Sequence, residues 1–517
     1  GVLEFVDFLD EKREKLQNKN GNDLFRKPIY IEGKKNNIEL ECSLKWNAGY
    51  AEDIFPYTNN IYQKDGGTHL LGFRSALTRV INKYANENKL PIMDQITFER
   101  YTNEVGKEKF REDLAAYIEK ERPVFPLKQI TKDEVRNDFK DLQTFDTAKY
   151  LKVDVGNVME KYDDYKYNYK EYGLGIIDAP STFNNISNYF HQSTRLNCSS
   201  YSFKAPLDVW QNGNAKDIWR CLGPIWRGIN GMKTVNVAGK AELRGGSLTE
   251  ASYLSAFRLG TYIATQFKPN VAKTIYDMTR AGRVLDTSCG WGDRLAGFYA
   301  SNATQYYGCD PNPNTYYQYM EQCVYYEELL GNGADVDERV DEKGRNYFTM
   351  SGRKFVKIYR CGAEDLPWED IKDIDCAFTS PPYFSTEEYN KGGEHEEDQS
   401  WHKFNEYNKW RDDFYLPVSL NSFKSLSSRG HMFINIMDPK VKNKRFKSCD
   451  ELVDSLKEHF VGQIGMRIMQ RPKSDKLFES EEAKQEFMNR TFIENVWCFS
   501  KEKLDYFREA RPSVLPI

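Results

Sequence analysis

GRVLDTSCGWGDR, residues 282–294, opens as a short apolar strand, ends that strand on Asp286 and then turns through Gly290 and Gly292. Two glycines at this spacing let the backbone turn tightly and come close to a ligand. The helical pattern that follows points its N-terminus into the same crevice, where backbone N–H groups can meet a ligand. Alone, a D-x-x-x-G-x-G run is also what an ordinary glycine turn looks like. Its neighbours give it weight. The next apolar run, TQYYGCD (304–310), ends on Asp310, an acceptor suited to two ribose hydroxyls. FVKIYRCG (355–362) leads into Glu364 and Asp365, with Asp365 placed to meet an exocyclic adenine amine. IDCAFTS (374–380) leads into Pro381, Pro382, Tyr383 and Phe384. Ligands of open parallel sheets sit outside the carboxyl ends of the strands, near the topological switch point. Four motif-bearing strand ends in chain order therefore describe one site.

Three further apolar runs follow: GHMFINIMD (430–438), GQIGMRIMQ (462–470) and FIENVWCFSK (492–501). Their alternation with helical or loop segments predicts a mainly parallel sheet covered on both faces, from about Glu242 to the end. The approach to the third strand, GNGADVDERVDEKGRNYFTMSGRK (331–354), reads as an insertion. A dinucleotide-binding turn would place a third glycine where Leu295 stands, which moves the reading from NAD toward S-adenosylmethionine.

The bulk properties set bounds. With 517 residues the chain has room for two to four domains at roughly 100–200 residues each. The net charge of -4 supplies no global field for nucleic acid, so any such contact must come from a local basic patch. The ten cysteines include no C-x-x-C pair, which argues for a reduced compartment and against a zinc ribbon. The six histidines show no metal spacing, and no metal is expected. No run of about 18 apolar residues predicts a membrane span, and no signal peptide stands at the start, so the expected location is cytoplasmic. The chain opens on Gly1 rather than Met, which leaves room for an upstream segment.

VLDTSCGWGDR, YYGCDPNP, CGAEDLP and TSPPYF resemble motifs I to IV of the N4-cytosine/N6-adenine DNA amino-methyltransferases, over about residues 242–501. The resemblance implies a Rossmann-like S-adenosylmethionine-dependent α/β sheet and methyl transfer to the exocyclic amine of a base flipped out of double-stranded DNA. It assigns cofactor contacts to Asp286, Thr287, Ser288, Gly290, Gly292, Asp310, Glu364, Asp365 and Thr379, and catalysis to Ser380, Pro381, Pro382 and Tyr383. The chemistry agrees. An exocyclic amine is a poor nucleophile because its lone pair is delocalised into the ring. Acceptors that pull its hydrogens, the Ser380 hydroxyl and the Pro381 carbonyl, rehybridise the nitrogen. The prolines fix φ and remove competing donors, and Tyr383 can stack on a flipped base. No Pro-Cys dipeptide exists, which excludes a C5-cytosine mechanism. Ser at position 380 leans toward cytosine. RNA amino-methyltransferases with a related element stay open, as do the recognition sequence and any restriction or phage partner.

Two segments are candidates for target recognition: residues 385–415, polar and aromatic after Phe384, and the basic run DPKVKNKRFKS (438–448) with Lys440, Lys442, Lys444, Arg445 and Lys447. The region from about 91 to 241 reads as mainly helical, and its aromatic and basic stretches at 191–211 and 225–246 are given no mechanism beyond structure.

The first ninety residues differ in kind. KPIYIEG (27–33), CSLKWNAGYAEDIFPYTNNIYQK (42–64) and above all DGGTHLLGFRSALTR (65–79) resemble the transducer region of the type II topoisomerase ATPase subunit, the gyrase B family. The resemblance is expected to stop near Leu90 and implies half of a ribosomal-S5-like α/β fold. It implies no topoisomerase or ATPase activity, because the nucleotide-binding domain is not represented. Half of a coupled sheet leaves unpaired edges and apolar surface. The domain reading is thus 1–90, 91–241 and 242–517, with a topoisomerase fragment as the alternative function.

Overall fold

The computed structural model describes residues 1–11, 13, 15, 27–35, 38–47, 54–63, 70, 73, 90–152, 157–468 and 478–502. The chain forms two compact units, Gly1–Glu87 and Asn88–Ile517.

In the first unit, helix Val2–Asp10 precedes an antiparallel hairpin of Ile29–Lys35 and Ile38–Leu44. Lys45 reaches Asp7 (2.7 Å) and Asp10 (3.1 Å). A second small hairpin, Tyr57–Thr58 with Ile61–Tyr62, turns on Asn59 and Asn60, both at positive φ as a two-residue hairpin requires. Ile29, Ile31, Ile38 and Leu40 are exposed on one face of the first hairpin. Most of DGGTHLLGFRSALTR (65–79) lies outside the described residues.

The second unit is built on a 12-stranded sheet. Its seven central strands are numbered β1 (Arg283–Asp286), β2 (Gln305–Cys309), β3 (Phe355–Tyr359), β4 (Ile374–Thr379), β5 (Leu426–Asn435), β6 (Phe460–Arg467) and β7 (Thr491–Ser500). They lie in the order β3-β2-β1-β4-β5-β7-β6. The first five are parallel, and β7 runs antiparallel between β5 and β6. The switch point falls between β1 and β4, where the chain order reverses. This is the α/β fold that the alternation of apolar runs predicts, with the Rossmann-like sheet that the resemblance implies.

Successive residues bury on opposite faces. Val284, Tyr306, Val356, Phe378, Phe433 and Val496 enter one core, packed by helices Pro269–Met278, Asp293–Ala300 and Pro313–Leu329. Leu285, Ala377, Met432, Ile434 and Trp497 enter the other, packed by helix Leu416–Lys424 and helix Ser448–Ser455. A sheet buried on both faces reads in sequence as continuous apolar runs, as these do.

Two extensions escape the sequence reading. The segment read as an insertion is an antiparallel hairpin, Asp335–Val340 with Asn346–Ser351, that lengthens the sheet beyond β3. At the other edge, Gly173–Asp178 pairs parallel with β6, and Leu151–Lys152 pairs with it in turn. The mainly helical middle region thus lends strands to the sheet. It also holds a third core, in which Phe98, Phe110, Leu114 and Ile118 of helices Gln95–Val105 and Lys107–Glu121 meet Trp210, Trp226 and Phe257.

Candidate active site

β1 delivers Asp286 to the carboxyl end of the sheet, but its carboxylate is fully buried and occupied. It accepts from Arg294 Nε (2.9 Å), the Tyr306 hydroxyl (2.7 Å) and the Ser288 backbone N–H (3.2 Å). Arg294 also donates to the Ser288 carbonyl. Asp286 therefore shapes the loop from beneath rather than facing a ligand. Gly290 and Gly292 both adopt positive φ, 57° and 69°. At Gly290 a Cβ would meet only the Ser288 carbonyl, at 3.7 Å, so a ligand can approach. At Gly292 a Cβ would strike Gln322 and His191. There the need for glycine comes from packing.

Asp310 ends β2 beside this loop. Its Oδ2 accepts from the Gly290 N–H (2.9 Å), and its Oδ1 from the Asn312 N–H (3.1 Å) and the Thr315 hydroxyl (3.3 Å). Burial pushes its pKa up to about 6, although these bonds favour the charged form. After β3, a single 3-10 turn carries Glu364, half-buried, and Asp365, exposed. Lys403 lies over both, 3.0 Å from Glu364 and 3.9 Å from Asp365. Thr287 and Thr379, at the ends of the adjacent strands β1 and β4, each bury a hydroxyl with no hydrogen-bond partner. Both line a small apolar cavity with Leu285, Ala377 and Pro381, roofed by Val418 and Ser419. The structure thus brings Thr287, Ser288, Gly290, Asp310, Glu364, Asp365 and Thr379 to one edge of the sheet, with Asp286 and Gly292 as their supports.

The tetrapeptide Ser380-Pro381-Pro382-Tyr383 leaves β4 at the switch point. Ser380 is half-buried and hydrogen-bonded to Tyr383. The Tyr383 hydroxyl lies 2.8 Å from Glu494 Oε1 on β7 and 3.1 Å from the Asn435 carbonyl at the end of β5. The ring is therefore anchored at its tip and packs in part against the second core. Phe384 packs against Trp410 and Phe446, and Phe446 stacks on Tyr407 with centroids 4.1 Å apart.

The middle region supports this site in two places. From helix Asn185–Asn197, His191 bonds Gln322 (3.0 Å), whose amide donates to the Gly292 carbonyl (2.8 Å). Burial holds His191 near pKa 4, hence neutral. Gln266 and Ser187 bind Asp293 at the start of the following helix. Residues Ser199–Ser202 are then stitched to the segment after the motif. Tyr201 N–H (2.6 Å) and the Ser200 hydroxyl (3.1 Å) donate to the Glu387 carbonyl, and Asn390 N–H donates to the Ser199 carbonyl (2.9 Å). Sequence reading gave this region no role, because each partner lies far along the chain.

The basic run divides. Arg445 is committed to Asp438 (2.7 Å) and Asp164 and lies over the Tyr162 ring at 3.8 Å; Lys447 pairs with Asp164 at 2.7 Å. Lys440, Lys442 and Lys444 are exposed on a small hairpin that turns on Lys442 and Asn443. Among the described residues no ion pair holds these three lysines.

A family model described as DNA gyrase B matches residues 1–119. The chain is 37% identical over 141 residues to the DNA gyrase B protein of Chlamydia muridarum (strain MoPn / Nigg), covering 26% of this chain and 16% of that protein. It is 40% identical over 118 residues to the DNA gyrase B protein of Cytophaga hutchinsonii, covering 23% and 22%. Such relatives are spanned over only a sixth to a quarter of their length. Among solved structures, an rRNA methylase from Streptococcus thermophilus aligns at 11% identity and a TM-score of 0.24, over 47% of this chain and 100% of that one. The gyrase likeness runs past Leu90, where it was expected to stop. It crosses from the first unit into helices Gln95–Val105 and Lys107–Glu121, whose apolar faces belong to the core of the second. One polypeptide thus joins a segment similar to DNA gyrase B, residues 1–119, to an α/β unit with a Rossmann-like sheet.

Proposed function

We propose that the second unit is an S-adenosylmethionine-dependent methyltransferase acting on the exocyclic amine of a nucleobase, N4 of cytosine or N6 of adenine in DNA. The observation that carries this reading is the placement of Ser380–Tyr383 at the end of β4, at the switch point and beside the Gly290–Asp310 loop. The residues present fit the cofactor. Gly290 leaves backbone room, Asp310 offers a part-exposed carboxylate for ribose hydroxyls, and Thr287 and Thr379 hold unpartnered hydroxyls at the same edge. When bound, S-adenosylmethionine supplies an electrophilic methyl group. The chain's own groups do the rest. Ser380 and the Pro381 carbonyl accept the amine's hydrogens and turn its lone pair toward the methyl group. Tyr383, fixed by Glu494 and Asn435, presents a ring face to the base. Positioning and fixed dipoles then lower the barrier to in-line transfer. Lys440, Lys442 and Lys444 provide the local positive patch that a polyanion requires of a chain with net negative charge. The gyrase-like segment receives no strand-passage or ATPase role in this reading.

The test is transfer of labelled methyl from S-adenosylmethionine to unmethylated duplex DNA, followed by nucleoside analysis. N4-methylcytosine or N6-methyladenine supports the proposal. Cofactor binding with transfer only to RNA would move the substrate. Absence of both binding and transfer would refute it.

A further inference from the structure

The turn Ser200–Phe203 brings an exposed ring to the edge of the candidate site. Ser200 and Phe203 pair across it, with N–H to carbonyl distances of 2.9 and 3.4 Å. The two residues between them, Tyr201 and Ser202, both hold left-handed φ, 53° and 62°. A two-residue hairpin turn demands this and is ordinarily built from Asn and Gly. A bulky Tyr in that region is a backbone outlier. Such strain persists where the surroundings hold it, and it clusters at ligand clamps. Here the surroundings are the segment that follows the tetrapeptide. Tyr201 N–H and the Ser200 hydroxyl donate to the Glu387 carbonyl, the Ser202 hydroxyl donates to Glu388 Oε2 (3.1 Å), and Asn390 N–H donates to the Ser199 carbonyl. On its other side the Tyr201 ring packs on Tyr262, with centroids 4.4 Å apart. Glu387 stands four residues beyond Tyr383, so the carbonyl that holds the turn lies within about 14 Å of Tyr383 by chain length alone.

The turn presents Phe203. Among the described residues of Asn88–Ile517 it is the one phenylalanine that stands exposed, at 54%. A lone exposed apolar side chain is ordinary. One delivered by a strained turn, itself fixed to the loop after the tetrapeptide, is not. Tyr262 lies alongside, with ring planes 25° apart and centroids at 6.5 Å. The loop that carries Tyr262 also brings cations without carboxylates. Arg195 gives its guanidinium to two neutral acceptors, the Ala264 carbonyl (3.1 Å) and Asn188 Oδ1 (2.8 Å), and its buried Nε has no partner. Arg258, in the last turn of helix Glu250–Gly260, is exposed. Among the described residues neither arginine forms an ion pair, whereas Lys204, next to the ring, pairs with Asp217 at 3.2 Å. Exposed aromatic surface beside uncompensated arginine suits a polyanion whose units have π faces, a nucleic acid.

We propose that Phe203 enters the base stack of duplex DNA at the gap that the target nucleotide leaves when it swings out. This rests on the base-amine reading above. A base drawn out of the helix to reach Ser380 leaves its neighbours unstacked and its partner base unpaired. An apolar side chain wedged between them restores the lost contact and opposes the return of the extruded base. The wedge must be exposed, rigidly mounted, and on the rim of the pocket rather than inside it. Phe203 meets the first demand by its position at the turn, the second through the bonds of Ser200, Tyr201 and Ser202, and the third because the Glu387 segment stands between it and Tyr383. Arg195 and Arg258 supply positive charge for phosphates of the same strand.

The experiment uses the full chain, a duplex oligonucleotide that the unmodified chain methylates, and the target strand of that duplex alone. Affinity for each is measured by fluorescence anisotropy, and cofactor affinity by calorimetry. Phe203→Ala should weaken binding of the duplex by about tenfold, the loss of one aromatic contact with a base. It should leave binding of the single strand, which has no gap to fill, and of the cofactor within about twofold, with an unchanged thermal midpoint, as befits an exposed side chain. Phe203→Leu keeps an apolar wedge and should recover most of the lost affinity. Unchanged duplex affinity in Phe203→Ala, an equal loss on the single strand, or a parallel loss of cofactor affinity would overturn the inference and leave the methyltransferase reading standing. Failure of the unmodified chain to methylate any duplex would remove both.

Discussion

Replacing Arg294 with Met separates two roles for the residue that ends β1. If Asp286 is a buried structural anion, as its three hydrogen bonds indicate, Arg294→Met strands a carboxylate that has no solvent contact. Breaking a buried ion pair on one side costs about 3–5 kcal/mol. Tyr306 and Ser288 still donate to Asp286, and Met keeps the apolar contact with Phe267, over which the guanidinium now lies at 5.2 Å. The cost should therefore fall at the low end, about 3 kcal/mol. In urea this lowers the midpoint by up to about 1 M, for a slope of about 3 kcal/mol per molar. Eight of the nine tryptophans lie in Asn88–Ile517, so tryptophan fluorescence follows the correct unit. Adding Asp286→Asn removes both charges and should restore at least about 2 kcal/mol of the loss, a coupling that additive sites do not show. If Arg294→Met stayed within about 1 kcal/mol of the parent, or if the two losses simply added, the structural assignment would be wrong. A cofactor role for Asp286 would give the opposite pattern, with Asp286→Asn weakening cofactor binding at unchanged stability.

Three other outcomes can be stated. Ser380→Ala should cut turnover by about 10²-fold, the usual effect of losing one positioned transition-state contact, with cofactor affinity nearly intact by calorimetry. Asp310 has its pKa raised to about 6, so below that pH it is protonated and a poorer acceptor for ribose hydroxyls; cofactor affinity should fall as pH drops from 7 to 5, and Asp310→Asn should flatten the dependence and weaken binding. Changing Lys440, Lys442 and Lys444 together to Ala should weaken DNA binding uniformly across sequences and lower the slope of log K against log salt by up to about 2.7; an unchanged slope would place the phosphate contacts elsewhere.

The sheet was legible because each of its seven central strands carries a short apolar run that stops at a polar or glycine-bearing edge. Asp310, Asp365 and Ser380 could be placed from that alone, since a strand's end is a local property. Asp286 shows the limit. Its type and position suggest a ligand contact, but Arg294, at the start of the next helix, claims it. Gly292 likewise reads as a ligand glycine, although His191 and Gln322 fill the space its side chain would need. Neither neighbour is visible in the local pattern. The anchor of Tyr383 was out of reach for the same reason: only the antiparallel return of β7 beside β5 brings Glu494 to its hydroxyl. Strand Gly173–Asp178 was hidden by its tyrosine-rich approach, whose Tyr165 and Tyr167 turn out to be core residues.

That strand has a consequence for biosynthesis. A ribosome releases Gly173–Asp178 long before its lateral partner β6 and the neighbouring β7. Until they emerge the early strand waits without its mate, and the nascent chain must keep that edge from pairing with a stranger. Loss of β6 and β7 would therefore leave an aggregation-prone product with an open edge rather than a smaller folded unit.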